Sequence, residues 1–272
     1  MKKILLIALT VLTGSVGMAQ EEQDTTRFRI GTKEIIIVDG DTSMVDIDKD
    51  EDEFDSGCSD CGDDLTYWSG FDIGINLPVN GSFENSFNSS HLDIDPSQSF
   101  SYSLNIAEKR IRIAGDYFGI VTGLGFTNSR YGFKDNRLRL TSNSDSTFGV
   151  VDTTLFNGFS KNQLRVNTIN VPLLFQINTS KNEDKNFHIA FGAIGGVRIG
   201  SNVKYKYDLA GGGDTKNKEK GRYNLNAFQV LGTVRLGYND WGLFANYDIL
   251  SLYEDGKSEL AYPLTFGASL HF

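Results

Sequence analysis

The chain has 272 residues, of which 39% are hydrophobic and 12% aromatic, and its formal net charge is −9. Beyond the N-terminal region no stretch approaches the roughly 18 continuous apolar residues of a membrane-spanning helix, so a helical membrane protein is excluded. The acidic balance also lacks the basic surface that binds nucleic acid, and we expect no nucleic-acid partner.

The first residues have the features of an export signal. Lys2 and Lys3 precede an apolar run from Ile4 to Val16, and Gly17-Met18-Ala19 supplies small residues for a cleavage site. The apolar run of about 13 residues is too short to span a bilayer, which disfavours the alternative of an N-terminal membrane anchor. We therefore predict a signal peptide over residues 1–19.

Residues 20–64 form an acidic segment with 16 Asp and Glu against four Lys and Arg, whereas residues 65–272 are nearly neutral. Residues 24–40 suggest a short hairpin, because Thr25–Ile30 alternates, Lys33–Val38 is β-branched and Asp39-Gly40 is a turn signal. The charge run that follows, Asp46 to Glu53, resembles a solvated linker. We predict a largely disordered, flexible periplasmic segment that offers a surface to a periplasmic protein partner.

The acidic segment contains two motifs that resemble binding or redox sites, one for calcium and one with a pair of cysteines. An EF-hand loop beginning at Asp46 would need Gly and Glu at positions six and twelve, where the sequence has Glu51 and Gly57. Cys58 and Cys61 form a C-x-x-C pair without the strand-to-helix context of a redox motif or two further metal ligands. A local disulfide is the favoured reading in an exported protein, with free thiols as the alternative.

From Tyr67 onward the chain alternates between apolar and polar residues, which is the pattern of β-strands with one apolar face. Eight such segments follow one another: Trp68–Val79, Phe100–Ile106, Phe118–Phe126, Ile169–Ile177, Phe187–Arg198, Phe228–Leu236, Leu243–Ile249 and Leu264–Phe272. We predict an all-β fold, a transmembrane antiparallel up-and-down β-barrel of about eight strands over residues 65–272.

The connections between these segments are alternately long and short, as in a barrel with long outer loops and short periplasmic turns. The long ones are Asn80–Ser97, Arg130–Gln163, Asn202–Arg222 and Glu254–Glu259, and the short ones lie near Glu108–Gly115, Thr179–Asn186 and Asn239–Trp241. Eight strands place both ends of this region on the periplasmic side.

A soluble β-sandwich or lipocalin-like barrel also alternates, but its outer face carries many Lys and Glu. Here the polar face is poor in charge and rich in Gly, Asn, Ser and Thr, which suits a narrow interior. Aromatic residues fall at strand ends, and Trp68 and Trp241 are predicted at the periplasmic rim as part of an interfacial belt.

The predicted interior contains a network of polar and charged residues, namely Asp72, Arg198, Arg235, Asn246 and Asp248. Charges inside a small barrel are expected to pair there, away from lipid, as an internal plug. The functional alternative is a narrow polar path for small solutes. An eight-stranded barrel is usually filled by its own side chains, which makes free diffusion the less favoured reading.

We find no catalytic pattern in the sequence and predict no enzyme activity and no cofactor. The histidines are His91 in a long loop and His188 and His271 facing the predicted interior, and no G-x-S-x-G occurs. The glycine run Gly211-Gly212-Gly213 lacks the following helix of a phosphate-binding loop.

The last strand resembles the C-terminal targeting signal of outer-membrane barrels, through Thr265, Gly267, Leu270 and the terminal Phe272. Such a strand is expected to pair with an edge of the barrel-insertion machinery.

Residues 65–272 as a whole resemble the outer-membrane β-barrel domain family common in Bacteroidetes, which includes PorT-like proteins. The resemblance rests on short motifs: Tyr67–Gly74, Gly123–Phe126, Ile169–Leu174, and Arg29-Ile30-Gly31 with Ile35–Val38. It implies a place in the Gram-negative outer membrane among lipid, and a structural or interaction role. The alternatives are a PorT-like component of a secretion or gliding apparatus and a narrow small-solute channel.

Overall fold

The computed structural model describes residues 25–30, 33–38, 41–44, 65–153, 158–182, 185–208 and 214–272. The chain divides into two compact units, residues 1–57 and 58–272. The predicted signal peptide, the charge run Asp46–Glu53, Cys58 with Cys61, and Gly211–Gly213 lie outside the described residues. Within the described part of the chain, no helix is both long and apolar enough to cross a membrane.

The described part of the first unit is a three-stranded antiparallel sheet of β1 (Thr25–Ile30), β2 (Lys33–Val38) and β3 (Asp41–Met44). β1 and β2 pair as a hairpin over the alternating stretch, with Thr25 opposite Val38. β3 was not predicted, because its four residues are too few to alternate clearly.

The second unit is a β-barrel. Its described strands are β4 (Gly70–Val79), β5 (Phe100–Ala114), β6 (Phe118–Gly132), β7 (Leu138–Ser142), β8 (Thr147–Val151), β9 (Lys161–Asn178), β10 (Phe187–Asp208), β11 (Asp214–Lys220), β12 (Phe228–Tyr238), β13 (Trp241–Asp248) and β14 (Tyr262–His271).

Eight of these strands form a closed antiparallel ring in the order β4-β5-β6-β9-β10-β12-β13-β14, with β14 paired back to β4. β11 pairs with the far end of β10, and β7 pairs only with β8. Each of the eight segments predicted from alternation contains or overlaps one ring strand, so the predicted antiparallel barrel of about eight strands is confirmed. The ring satisfies the backbone hydrogen bonds of every ring strand on both sides.

The apolar face of the ring points outward. On β9, Ile169, Val171, Leu173, Phe175 and Ile177 are exposed, whereas the alternate residues between them are buried. A face of this kind is stable only against an apolar medium, because water would leave each of these side chains unburied. The interior carries buried polar residues, among them Asp72, Asn105 and Gln176.

Short connections gather at one end of the ring, which we call the turn end. They join β5 to β6, β9 to β10 and β12 to β13. Phe272 lies at the same end, with its N–H donating to the Ser69 carbonyl at 3.3 Å. β5 ends at Ala114, eight residues beyond the predicted end of this strand at Ile106. Bulges after Asn105 and Arg112 shift the phase of its alternation, which hides the rest of the strand in the sequence.

The opposite end, the loop end, is covered by a folded cap built from the long connections. The β7–β8 hairpin, β11 and short 3-10 helices at Ser90–Leu92 and Pro96–Gln98 belong to it. We predicted these stretches as loops without secondary structure. The structure instead extends β6, β9 and β10 into them, and packs a hydrophobic cluster beneath them.

Candidate functional site

The segment just before β4 enters the barrel from the turn end. Leu65, Tyr67 and Trp68 are all buried. The Leu65 carbonyl accepts from the amide of Gln176 at 2.7 Å, and the Tyr67 hydroxyl accepts from the Asn186 amide at 3.0 Å. These contacts hold residues 65–69 as an internal strap across the lumen, so we call this segment the strap.

Trp68 is the centre of the strap, with 2% of its surface exposed. Its backbone N–H donates to the Glu108 carboxylate at 2.9 Å, and its indole N–H donates to the Leu124 carbonyl at 3.4 Å. It packs with Val121, Leu174, Ala190 and Ile194 as a small apolar cluster within the barrel. The prediction of Trp68 at the interfacial rim was wrong, because an aromatic residue next to a strand end can turn inward as well as outward. Trp241 is exposed at the turn end.

A buried ion pair crosses the lumen beside the strap. Arg235 Nη2 lies 2.6 Å from Asp72 Oδ2, and both side chains are almost fully buried. Asn105 donates a further hydrogen bond to the same carboxylate oxygen at 3.1 Å. The guanidinium carbon of Arg235 lies 4.8 Å from the Trp68 ring centroid, a cation–π contact that adds to the pair.

Two interior histidines lie nearer the turn end. His188 stacks on Tyr67 with ring centroids 3.6 Å apart, and His271 meets His188 edge-on at 5.5 Å. Both histidines face the interior and both are buried. Their Nδ1 atoms have no hydrogen-bond partner, whereas His271 also makes a hydrogen bond to the Ser69 backbone.

The other predicted interior residues form separate contacts nearer the cap. Arg198 and Asp248 border one small cavity, and Asp248 accepts from the backbone N–H of Leu250 at 3.2 Å. Asn246 instead accepts from the Thr233 hydroxyl at 2.6 Å. The structure thus brings Asp72 and Arg235 together, with Asn246 lining the same cavity, and places Arg198 and Asp248 at a second cavity.

Little open space remains inside the barrel. Two interior cavities lined by described residues leave about 30 Å³ and about 20 Å³ for the centres of water molecules. One water needs about 10–15 Å³ by this measure, so each cavity admits only a few waters. Among the described residues, the strap, the Asp72–Arg235 pair and the core of the cap occupy the interior of the barrel.

The cap has its own hydrophobic core, which the sequence reasoning did not detect. It comprises Leu92, Ile94, Tyr131, Phe133, Leu138, Leu140, Phe159, Leu164, Val166, Val203, Tyr205, Tyr223, Leu225, Tyr253 and Ala261. Tyr205, fully buried, accepts from the backbone N–H of Leu140 at 3.0 Å. The sequence carries one signal for this core: Val203 and Tyr205 alternate with lysines, and this alternation continues β10 past the end of the predicted strand.

His91 lies in this cap and not in an open loop. It is buried, it shares a hydrogen bond of 2.8 Å between its Nε2 and the Ser258 hydroxyl, and it meets the Tyr253 ring edge-on. Burial lowers the pKa of His91 to about 4, against the opposing effect of the Glu259 carboxylate. The neutral imidazole is therefore the form that fits the folded cap.

The residues of the predicted insertion signal lie along β14. Thr265 donates to the Asn76 side chain at 2.7 Å inside the barrel, whereas Leu270 and Phe272 are exposed on the outer face. Gly267 lies against the backbone of Ile73 so closely that a Cβ there would clash. Among the described residues, no group of three or more His, Cys, Asp and Glu side chains is arranged to hold a metal ion.

Comparison with known proteins identifies one family. The model of the outer membrane protein beta-barrel domain matches residues 23–253. Two solved structures of Ail, the attachment invasion locus protein of Yersinia pestis, were also found. One, in complex with the heparin analogue sucrose octasulfate, is 12% identical over 75% of this chain and 97% of that chain, with a TM-score of 0.29. The other is 14% identical over 75% and 99%, with a TM-score of 0.30. No curated protein matches the chain.

Proposed function

The chain belongs to the outer membrane protein beta-barrel domain family, and from this we propose that it is a closed barrel with a structural or interaction role, not a pore. The filled lumen is the observation that supports this proposal. The strap, the Asp72–Arg235 pair and the cap leave room for only a few waters along the interior. A solute path would need all three to move.

Conductance measurements on the purified protein in planar bilayers test the closed lumen. We expect no conductance steps under conditions in which a large general porin inserts and conducts. A variant carrying Trp68→Gly and Arg235→Gly, which removes the two largest groups from the lumen centre, serves as the matched opening control. Regular conductance steps from the unaltered protein would contradict the proposal and favour the narrow small-solute channel.

We further propose that the cap forms the contact surface and faces the outside of the cell, with the turn end in the periplasm. Binding sites commonly lie on surface segments that a rigid scaffold holds in place, and the cap is such a segment. Single cysteines at Ser144 in the cap and at Lys181 in a turn test the orientation, in a chain with Cys58 and Cys61 replaced by serine. A membrane-impermeant maleimide should label only position 144 in intact cells.

A second candidate function is that of a PorT-like component of a secretion or gliding apparatus. It is favoured by the acidic segment 20–64, whose net charge of −12 contrasts with a nearly neutral barrel and suits a basic periplasmic partner. Cross-linking in native membranes should give a stoichiometric partner that is lost when residues 24–64 are deleted. Recovery of the barrel alone from native membranes would speak against this role.

We propose that the C-terminal strand, through Thr265, Gly267, Leu270 and Phe272, pairs with the barrel-insertion machinery. The C-x-x-C pair of Cys58 and Cys61 is proposed as a local disulfide, which a mass shift on reduction and alkylation would establish.

A further inference from the structure

Basic side chains cluster on the outer face of the sheet at the loop end. The cluster, here the basic patch, consists of Arg130, Lys161, Arg165, Lys204, Lys206, Lys216, Lys218 and Lys220. On β11 the lysines occupy alternate positions and are exposed. On β10 the alternate residues Val203 and Tyr205 are buried in the cap core, which directs Lys204 and Lys206 to the outside.

The strand register places these cations opposite one another. Lys204 pairs with Lys218, and Lys206 pairs with Lys216 on β11 and with Lys161 on β9. Arg130 on β6 lies opposite Arg165 on β9. Like charges directly opposite each other destabilise a sheet, so this arrangement opposes the folding of the extended strands.

Among the described side chains, no carboxylate forms an ion pair with Arg130, Arg165 or the lysines of β11. β11 contains two acids: Asp214 stands opposite Asp208 at the end of the strand pair, whereas Glu219 lies on the opposite face from the lysines and pairs with Arg139 at 3.4 Å. Arg165 Nε is buried without a hydrogen-bond partner. Burial and the neighbouring cations, Arg165 first among them, lower the pKa of Lys204.

The patch begins directly beyond the apolar outer face of the ring strands, which we call the apolar belt. On the outer face of β9 the exposed residues end at Ile169, and Asn167 and Arg165 follow. Arg165 is four residues beyond Ile169, about 13 Å along the strand and about 10 Å in height for the usual barrel tilt. This is the level of lipid headgroups when the belt lies in the hydrocarbon.

Side chains at the boundary hold the arginines at this level. The amides of Asn128 and Asn167 bond to each other at 2.6 Å, forming the last polar row before the belt. Arg130 Nε donates to the Asn128 oxygen at 2.8 Å, and its guanidinium carbon lies 4.6 Å from the Tyr102 ring centroid. A guanidinium fixed in this way keeps further N–H groups free for an anion.

We propose that the basic patch binds the phosphate groups of lipids in the leaflet at the loop end. Arg130 and Arg165 contact the headgroup phosphate, and the lysines of β10 and β11 contact further phosphates of a larger anionic headgroup. The inference rests on the membrane placement of the barrel. A lipid is favoured over a soluble polyanion because its acyl chains would cover the exposed Phe126 and Ile169 beneath the patch.

Native mass spectrometry of the full chain in detergent, titrated with phosphatidylglycerol or phosphatidylcholine, tests the proposal. We expect tighter binding of the anionic lipid. The variant R130Q/R165Q should lose about 30-fold in affinity for phosphatidylglycerol, since each surface cation contributes about fivefold, and should lose the preference for it over phosphatidylcholine. The variant K181Q/K185Q makes the same charge change at the turn end and should retain the preference.

Two further measurements distinguish a lipid headgroup from other anions as the ligand of the patch. Competition by millimolar inorganic phosphate would overturn the lipid assignment in favour of a free-anion site. Patch-dependent binding of a sulfated oligosaccharide without a lipid preference would overturn it in favour of a soluble polyanion. If R130Q/R165Q does not fold, K216Q/K218Q/K220Q on β11, outside the ring, replaces it.

The gel mobility of unheated and heated samples reports the folded barrel independently of the lipid titration. A folded barrel that inserts into vesicles but binds both lipids equally would overturn the patch proposal alone. A chain that does not insert would instead overturn the proposed function.

Discussion

Arg235 and Asp72 form a 2.6 Å ion pair inside the barrel, although they lie 163 positions apart in the chain. The pair joins β12 to β4 across the lumen, beneath the ring of Trp68. In this position it fixes both the strap and the spacing of opposite walls. Its removal therefore tests how the lumen is kept closed.

Replacement of Asp72 by asparagine leaves Arg235 buried without its counter-ion. We expect a loss of about 3–5 kcal/mol in the free energy of unfolding, as for other buried pairs that lose one partner. Urea titration of the barrel in vesicles measures it. The control Lys134→Gln removes an exposed pair with Asp93, 3.4 Å apart, and should cost less than about 1 kcal/mol. Equal small effects of both variants would show that the buried pair is not important for stability.

The close packing of the strap makes one glycine of β6 hard to replace. A Cβ at Gly123 would clash with the Ala107 carbonyl and lie 2.6 Å from Trp68 Cδ1. Gly123→Ala should destabilise the barrel by about 1–3 kcal/mol through overpacking. At Gly200 on β10 a Cβ meets nothing within 4 Å, so Gly200→Ala should lie within about 0.5 kcal/mol of the original. A neutral Gly123→Ala would argue that Trp68 does not occupy the lumen.

Because the cap has its own hydrophobic core, we expect the loop end of the barrel to be ordered. Leu138 is fully buried, and Leu138→Ala should cost the cap about 2–5 kcal/mol. Hydrogen exchange should then accelerate in β7, β8 and β11 while the ring strands stay protected. Val150→Ala on the same hairpin, at an exposed position, is the matched control and should leave exchange unchanged. Rapid exchange of the cap in the unaltered protein would contradict the folded cap.

Acid should loosen the cap through His91. Its pKa is about 4 in the folded cap against about 6.5 when unfolded, so the unfolded form binds the proton first. The contribution of His91 is complete above about pH 6.5 and declines as the pH falls towards about 4, by up to about 3 kcal/mol. Hydrogen exchange of the cap at about pH 7.5 and about pH 5 measures the change. His91→Gln should flatten this dependence, and an unchanged dependence in that variant would exclude His91 as its source.

The ring strands could be predicted from sequence because alternation is a local property, and one apolar face is obligatory against lipid. The phase was lost only where a bulge intervened, as in β5 after Asn105. Asp72 and Arg235 could be placed on the inner face by the same alternation. Their pairing could not, because register around a ring depends on all the strands between them.

Trp68 and the cap core show what local patterns miss. An aromatic residue just outside a strand has the same sequence signature at a membrane rim and inside a lumen. The cap core joins residues as distant as Leu92 and Ala261, drawn from every long connection. Its members are separated by polar residues, so that no single stretch appears apolar.

The central claim is that the apolar faces of the ring strands contact lipid and the polar faces line a filled interior. Spin labels at single cysteines replacing residues 170, 171, 173 and 174 of β9 test it most directly, in vesicles and with Cys58 and Cys61 replaced by serine. Oxygen accessibility should be high at 171 and 173 and low at 170 and 174. High accessibility at 170 and 174, or equal values at all four positions, would contradict the account.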